Sequence, residues 1–154
     1  MRTADIQNSY IQEKVAEKIW TVMGPNFGPD AGKPDVIVRA LYRIKSDGAS
    51  FQNHFADCLK HMEYMSFPEY PDLWMKQMVI PRDGAAYYAY ILLYVDDILC
   101  FHRDAESVLR KVDKYFKLNS YSIGEPNMHL GSKVRPMDLD DGVSAWALSP
   151  SQYI

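Results

Sequence analysis

The 154-residue sequence predicts an α+β fold, a mostly antiparallel sheet with two packed helices and a peripheral hairpin. Three observations carry that expectation. Residues 87–94 and 98–101 are apolar almost without interruption, as strands covered on at least one face are. Phe51, Phe55, Cys58, Leu59 and Met62 recur at helical spacing, while Gln52, Asn53, Asp57 and Lys60 fall mostly off that stripe. A composition of 47% hydrophobic and 13% aromatic residues is enough to build the core of one ordinary domain.

The elements follow in order. The polar start, MRTADIQNSYIQEKV, lacks an apolar leader core, and no window nears the ~20 apolar residues of a membrane span. The expectation is an intracellular protein, cytoplasmic or nuclear, with no membrane partner. Strands are expected over 18–22 and 36–42, separated by the Gly-, Pro- and Asp-dense loop MGPNFGPDAGKPD at 23–35. The apolar stripe makes a helix from Ser46 to about Met65. SFPEYPD then breaks the chain, a strand runs over 73–80, and PRDG turns it toward 87–94. Asp104 can cap a helix running to about Phe116, with Val108, Leu109, Val112, Tyr115 and Phe116 inward. Strands at 128–135 and 143–148, joined by DLDDGV, form the peripheral hairpin. Ser149-Pro150 announces a helix that stops at Ile154, and only four residues precede Asp5. The expectation is a domain truncated at both ends.

Composition and charge narrow the chemistry. A net charge of -3 argues against a self-sufficient nucleic-acid binder, although Arg103, Arg110, Lys111, Lys114 and Lys117 gather in one stretch that reads as a solvated helix face. Cys58 and Cys100 lie in apolar surroundings without CxxC spacing, which suggests neither a disulfide framework nor a zinc site and fits a reducing compartment. His54, His61, His102 and His129 are scattered, with no ligand spacing among them.

Two acid pairs remain, and they differ in kind. Asp140-Asp141-Gly142 sits among polar residues with a glycine ready for positive φ, so turn chemistry accounts for it. Asp96-Asp97 has no glycine and is flanked by strand-forming residues on both sides. The hairpin there must be tight, with its carboxylates crowded at the tip. Crowded carboxylates raise one another's pKa unless a cation offsets them. The pair is either a bland turn at the sheet rim or the ligand set of a divalent cation.

YVDD at 94–97, preceded by Ile-Leu-Leu and followed by Ile-Leu, resembles the palm motif of reverse transcriptases, most of all those of copia-type retrotransposons. Further segments match in order. ADIQNSY (4–10) resembles the earlier palm motif, VRALYRIKSDGASFQNHFADCL (38–59) the segment contacting nucleotide and template, and PDLWMK (71–76) the strand after it. MHLGSKV (128–134) resembles the Leu-Gly hairpin that grips the primer end, and LSPSQYI the start of the connection beyond the palm.

The resemblance implies an RNA-directed DNA polymerase, a nucleotidyl transferase using two Mg²⁺ (or Mn²⁺) ions held by Asp5, Asp96 and Asp97. It further implies nucleotide and template contacts from Tyr10, Arg43, Lys45 and Tyr94, with Tyr10 under the sugar, and a primer grip at Leu130 and Gly131. The implied partners are an RNA or DNA template with its primer, deoxynucleoside triphosphates, and the rest of a polyprotein. Residues 1–154 would be a partial domain, a palm sheet with part of the fingers, without the upstream fingers, thumb and ribonuclease H. One departure stands out: the family carries glycine where this chain has Arg43, at a point of close backbone approach to the nucleotide. The alternative is therefore a non-catalytic retroelement remnant that at most binds nucleic acid or protein. A third possibility is an unrelated α+β domain whose Asp96-Asp97 is a rim turn.

Overall fold

The computed structural model describes residues 1–41, 45–140 and 142–150. The fold is α+β with mostly antiparallel sheets, and it divides into two compact units, Met1–Gln7 with Glu63–Ile154, and Asn8–Met62. No helix among the described residues is long and apolar enough to cross a membrane.

The first unit is built on a five-stranded sheet. Its strands are β1 (Arg2–Asp5), β4 (Met65–Phe67), β5 (Tyr70–Val79), β6 (Ala86–Tyr94) and β7 (Asp97–Phe101), in the order β1-β7-β6-β5-β4. The apolar run seen in the sequence becomes its centre: Ala89, Ile91, Ile98 and Cys100 are wholly buried. Both faces of β7 are covered, since Ile98, Leu99 and Cys100 are consecutive and all buried. The short β1 is an edge strand, and its outer side is bonded to the segment 117–124 through Thr3 and Gly124, Asp5 and Asn119, and Gln7 and Lys117. That segment hides ladder groups that an open edge would present.

Helix α2 (Ala105–Val112) lies against β7 and β1. It begins as expected, with the Asp104 carboxylate accepting from the Ser107 amide at 3.1 Å. It ends earlier than expected. Lys114 and Tyr115 donate to carbonyls three residues back, and this tighter turn leaves Tyr115 44% exposed while Phe116 stays buried.

A three-stranded sheet of β8 (Met128–His129), β9 (Ser132–Asp138) and β10 (Ser144–Ser149) completes the unit, in the order β10-β9-β8. The strand expected over 128–135 is thus two strands. Leu130 (φ 49°) and Gly131 (φ 74°) form a two-residue turn between them, because positive φ at both central positions matches the twist of the flanking strands. The β9–β10 turn contains exposed Asp140 and ends on Gly142 at φ 75°, as its sequence predicts. Asp141 lies outside the described residues, as do 151–154.

The second unit pairs β2 (Lys14–Val22) with β3 (Pro34–Arg39) antiparallel, with an irregularity between Lys14 and Ile19. The loop between them carries one 3-10 stretch, Pro25–Asp30, and a second, Ser9–Gln12, precedes β2. Helix α1 (Lys45–His61) buries its stripe: Phe51, Phe55, Cys58 and Leu59 are each no more than 3% exposed. The helix stops at His61 rather than near Met65. In the first unit Glu63 takes φ 64°, and the chain passes into β4, whose last residue precedes Pro68 and is thereby held extended.

Candidate active site

Strand register assembles the acids. Asp5 on β1 and Asp97 on β7 are Cα partners, and Tyr94 on β6 is the partner of Asp97 on its other side. Directly opposed residues share a sheet face with Cβ atoms ~4.5–5.5 Å apart, so Tyr94, Asp97 and Asp5 form a row at one rim. The next row, Leu93, Ile98 and Ala4, faces the opposite side and is buried, which anchors the register. A slip of one residue would exchange the faces of that row and of the acids.

Val95 and Asp96 are the two central residues of the β6–β7 turn, and Val95 sits at φ 57°. A tight hairpin normally puts glycine at such a position, and a β-branched residue there costs about 1–3 kcal/mol. The turn is held from outside by a bond from the Ile6 amide to the Asp96 carbonyl, 2.9 Å. Asp96 is thereby kept beside the end of β1, next to Asp5.

The electrostatics follow from that crowding. The Asp97 carboxyl is pushed above the usual carboxylate range by partial burial, then by the neighbouring charges of Asp96 and Asp5, while His129 opposes the shift. Asp5 is held by the 117–124 segment. Its carboxylate accepts from the Asn119 side-chain amide, its carbonyl accepts from the Asn119 backbone amide at 2.8 Å, and its own amide donates to Ser122 Oγ at 3.2 Å.

Sequence reasoning missed three participants, Asn119, Ser122 and His129. No spacing signals Asn119 or Ser122, since bridges between Thr3 and Gly124 and between Ile6 and Leu118 bring their segment to β1. His129 immediately precedes the Leu130-Gly131 turn and is only 6% exposed, with Nε2 lacking a hydrogen-bond partner. Burial pulls its pKa below the ordinary histidine value, and the Asp97 charge works the other way. The small sheet thus carries an imidazole that feels the charge of the acid rim.

The donor set suits a divalent cation by its chemistry. Carboxylate oxygens are hard ligands for Mg²⁺ or Mn²⁺, and the mutual repulsion felt at Asp97 is what such a cation offsets. The side chains are not gathered into a finished cage: among the described residues no group of three or more His, Cys, Asp or Glu is arranged to hold a metal ion.

The remaining expected site residues stand as follows. Leu130 is 43% exposed at its turn, with Gly131 beside it. Tyr94 is exposed at the rim. Tyr10, in the second unit, packs edge-on against Phe51 with centroids 5.7 Å apart. Arg43 and the Lys45 side chain lie outside the described residues. Burial pushes the Cys58 thiol up to about 11 and the Cys100 thiol up to about 12, which favours the protonated thiol over the thiolate at neutral pH. No protein-family model matches the chain, and comparisons with curated proteins and with solved structures find no match.

Proposed function

We propose that this chain is the palm region of a copia-type reverse transcriptase, acting in RNA-directed DNA synthesis by nucleotidyl transfer. The observation that carries the proposal is the cross-strand pairing of Asp5 with Asp97, with Asp96 tied beside them by the Ile6 amide. Two strands far apart in sequence deliver carboxylates to one rim, which is what the YVDD resemblance calls for. Asp5, Asp96 and Asp97 would hold the cations, and bound Mg²⁺ supplies Lewis acidity that activates a primer 3′-hydroxyl and stabilises the leaving pyrophosphate. Exposed Tyr94 offers an aromatic surface beside the acids, and the Leu130-Gly131 turn lies next in sequence to His129, whose imidazole feels the Asp97 charge. Template, primer and deoxynucleoside triphosphates are the proposed partners.

A non-catalytic remnant is the second reading, favoured by the Asn119 amide occupying the Asp5 carboxylate and by Arg43 in place of glycine. Metal-dependent melting separates the two. With the site competent, Mn²⁺ at a hundredfold excess over its dissociation constant stabilises the chain by ~2.7 kcal/mol, and Asp96→Asn removes that gain. The same substitution leaves the metal-free protein no less stable, since it relieves repulsion. Equal Mn²⁺ shifts in the wild type and Asp96→Asn would remove the two-metal assignment and leave only the fold.

A further inference from the structure

A turn at residues 119–122 grips Asp5 from the outer side of β1. The Ser122 amide donates to the Asn119 carbonyl at 3.0 Å and closes the turn, and both of its end residues then bond to Asp5. The Asn119 backbone amide donates to the Asp5 carbonyl at 2.8 Å, while its side-chain amide donates to Asp5 Oδ1. Ser122 Oγ accepts from the Asp5 amide at 3.2 Å and donates back to the Asp5 carbonyl at 3.4 Å. The turn is pinned on both flanks, by the bond from the Gln7 amide to the Lys117 carbonyl and by two bonds exchanged between Thr3 and Gly124. Tyr121 within it is fully exposed at φ 64°, a left-handed position that suits glycine, so burial of that side chain does not account for the strained turn.

We infer that Asn119 is a positioning residue of the carboxylate site, holding the Asp5 side chain through Oδ1 as a pre-oriented cation ligand, with Ser122 locking the backbone beneath it. The inference rests on the proposed two-metal reading and gives the 117–124 segment a part in it. Because the Asp5 N–H and C=O both point to the turn, Asp5 and Asp97 are a cross-strand pair without ladder hydrogen bonds between them, the kind whose Cα atoms approach to ~4.5 Å. Like charges so placed repel, and an unrestrained Asp5 side chain relieves the repulsion by rotating into water. Asn119 opposes that rotation. It takes one oxygen, and among the described residues nothing donates to Oδ2. A carboxylate has about four acceptor sites, so one amide leaves it able to bind a cation. Hydrogen bonds of this kind fix the orientation of a ligating carboxylate, and their loss lowers metal affinity roughly 10–100-fold.

The test titrates the full chain with Mn²⁺, reading free Mn²⁺ by electron paramagnetic resonance, beside melting of the same samples in EDTA. Asn119 is exposed and its backbone bonds survive the change to alanine, so Asn119→Ala folds. That variant is expected to weaken Mn²⁺ binding about tenfold or more, while Ser120→Ala, at an exposed neighbour in the same turn, binds as the wild type does. Unchanged affinity in Asn119→Ala with a lower melting temperature in EDTA would make the amide a structural tie only and overturn the inference. Tighter Mn²⁺ binding by Asn119→Ala would also overturn it, since the amide would then be blocking the ligand. Asp96→Asn tells the two failures apart. Weaker binding in Asp96→Asn but not in Asn119→Ala sinks the positioning role and leaves the two-metal reading standing, whereas a wild type that binds no Mn²⁺ removes both.

Discussion

Two hairpin turns of the first unit, each with two central residues, show opposite solutions to one geometric problem. The β8–β9 turn uses Leu130 and Gly131 at φ 49° and 74°, with glycine bearing one of the two left-handed positions. The β6–β7 turn places Val95 at φ 57° with no glycine, although branching at Cβ makes that conformation costly. The surroundings explain why the strained turn persists. It caps strands whose Ile91, Ile98 and Cys100 are fully buried, whereas the less strained turn, with unbranched-Cβ Leu130 and a glycine, joins short strands of a small sheet in which His129 and Val134 are buried. A well-packed strand pair imposes a turn that its own residues would not choose, and the imposed turn carries the acids.

The largest test of this contrast removes the packing. Ile91→Ala should cost about 2–5 kcal/mol in urea denaturation, while Leu130→Ala at the other turn should stay within ~0.5 kcal/mol. Equal losses would mean that the two hairpins are held with equal force. A smaller effect should come from exchanging the turn residues. Val95→Gly removes strain and should stabilise by about 1 kcal/mol net of glycine's added chain entropy, whereas Gly131→Val should destabilise by about 1–2 kcal/mol. Stabilisation by Gly131→Val would reverse the assignment of which turn is strained.

The smallest effect is the pH dependence of Asp97. Its folded pKa is raised, so the native state holds that proton more tightly than the unfolded chain does. The associated stability is fully present below the ordinary carboxylate pKa of about 4 and is lost as pH rises through the raised folded value. Melting temperatures across that window should therefore decline less in Asp97→Asn than in the wild type. An identical decline in both would place the titration elsewhere.

Much of this was legible along the chain because it depends on local chemistry. The buried stripe of α1, the Asp104 cap, the glycine at φ 75° after Asp140 and a tight hairpin at the acid pair each follow from neighbouring residues and periodicity, although the tip is Val95-Asp96 and Asp97 already belongs to β7. The ends of elements were less legible. Met62–Met65 and Asp113–Tyr115 carry helix-compatible residues, and the stops there come from the chain joining β4 and from Phe116 turning into the core. The site divides in the same way. Its acids announce themselves by residue type in an apolar run, since an ionisable pair among strand formers needs a reason to be there. The partners of those acids do not. Asn119 and Ser122 meet Asp5 across more than a hundred residues of chain, and the charge influence between His129 and Asp97 joins residues of two different sheets. Sequence alone determined the central strands and where charge interrupts them, because those preferences are written in the nearest few residues, whereas β4 arises in the expected break SFPEYPD and 128–135 divides into β8 and β9. Only the tertiary structure decided that β1 lies beside β7 with Asp5 opposite Asp97, because register between distant strands is set by burying Ala4, Leu93 and Ile98 together.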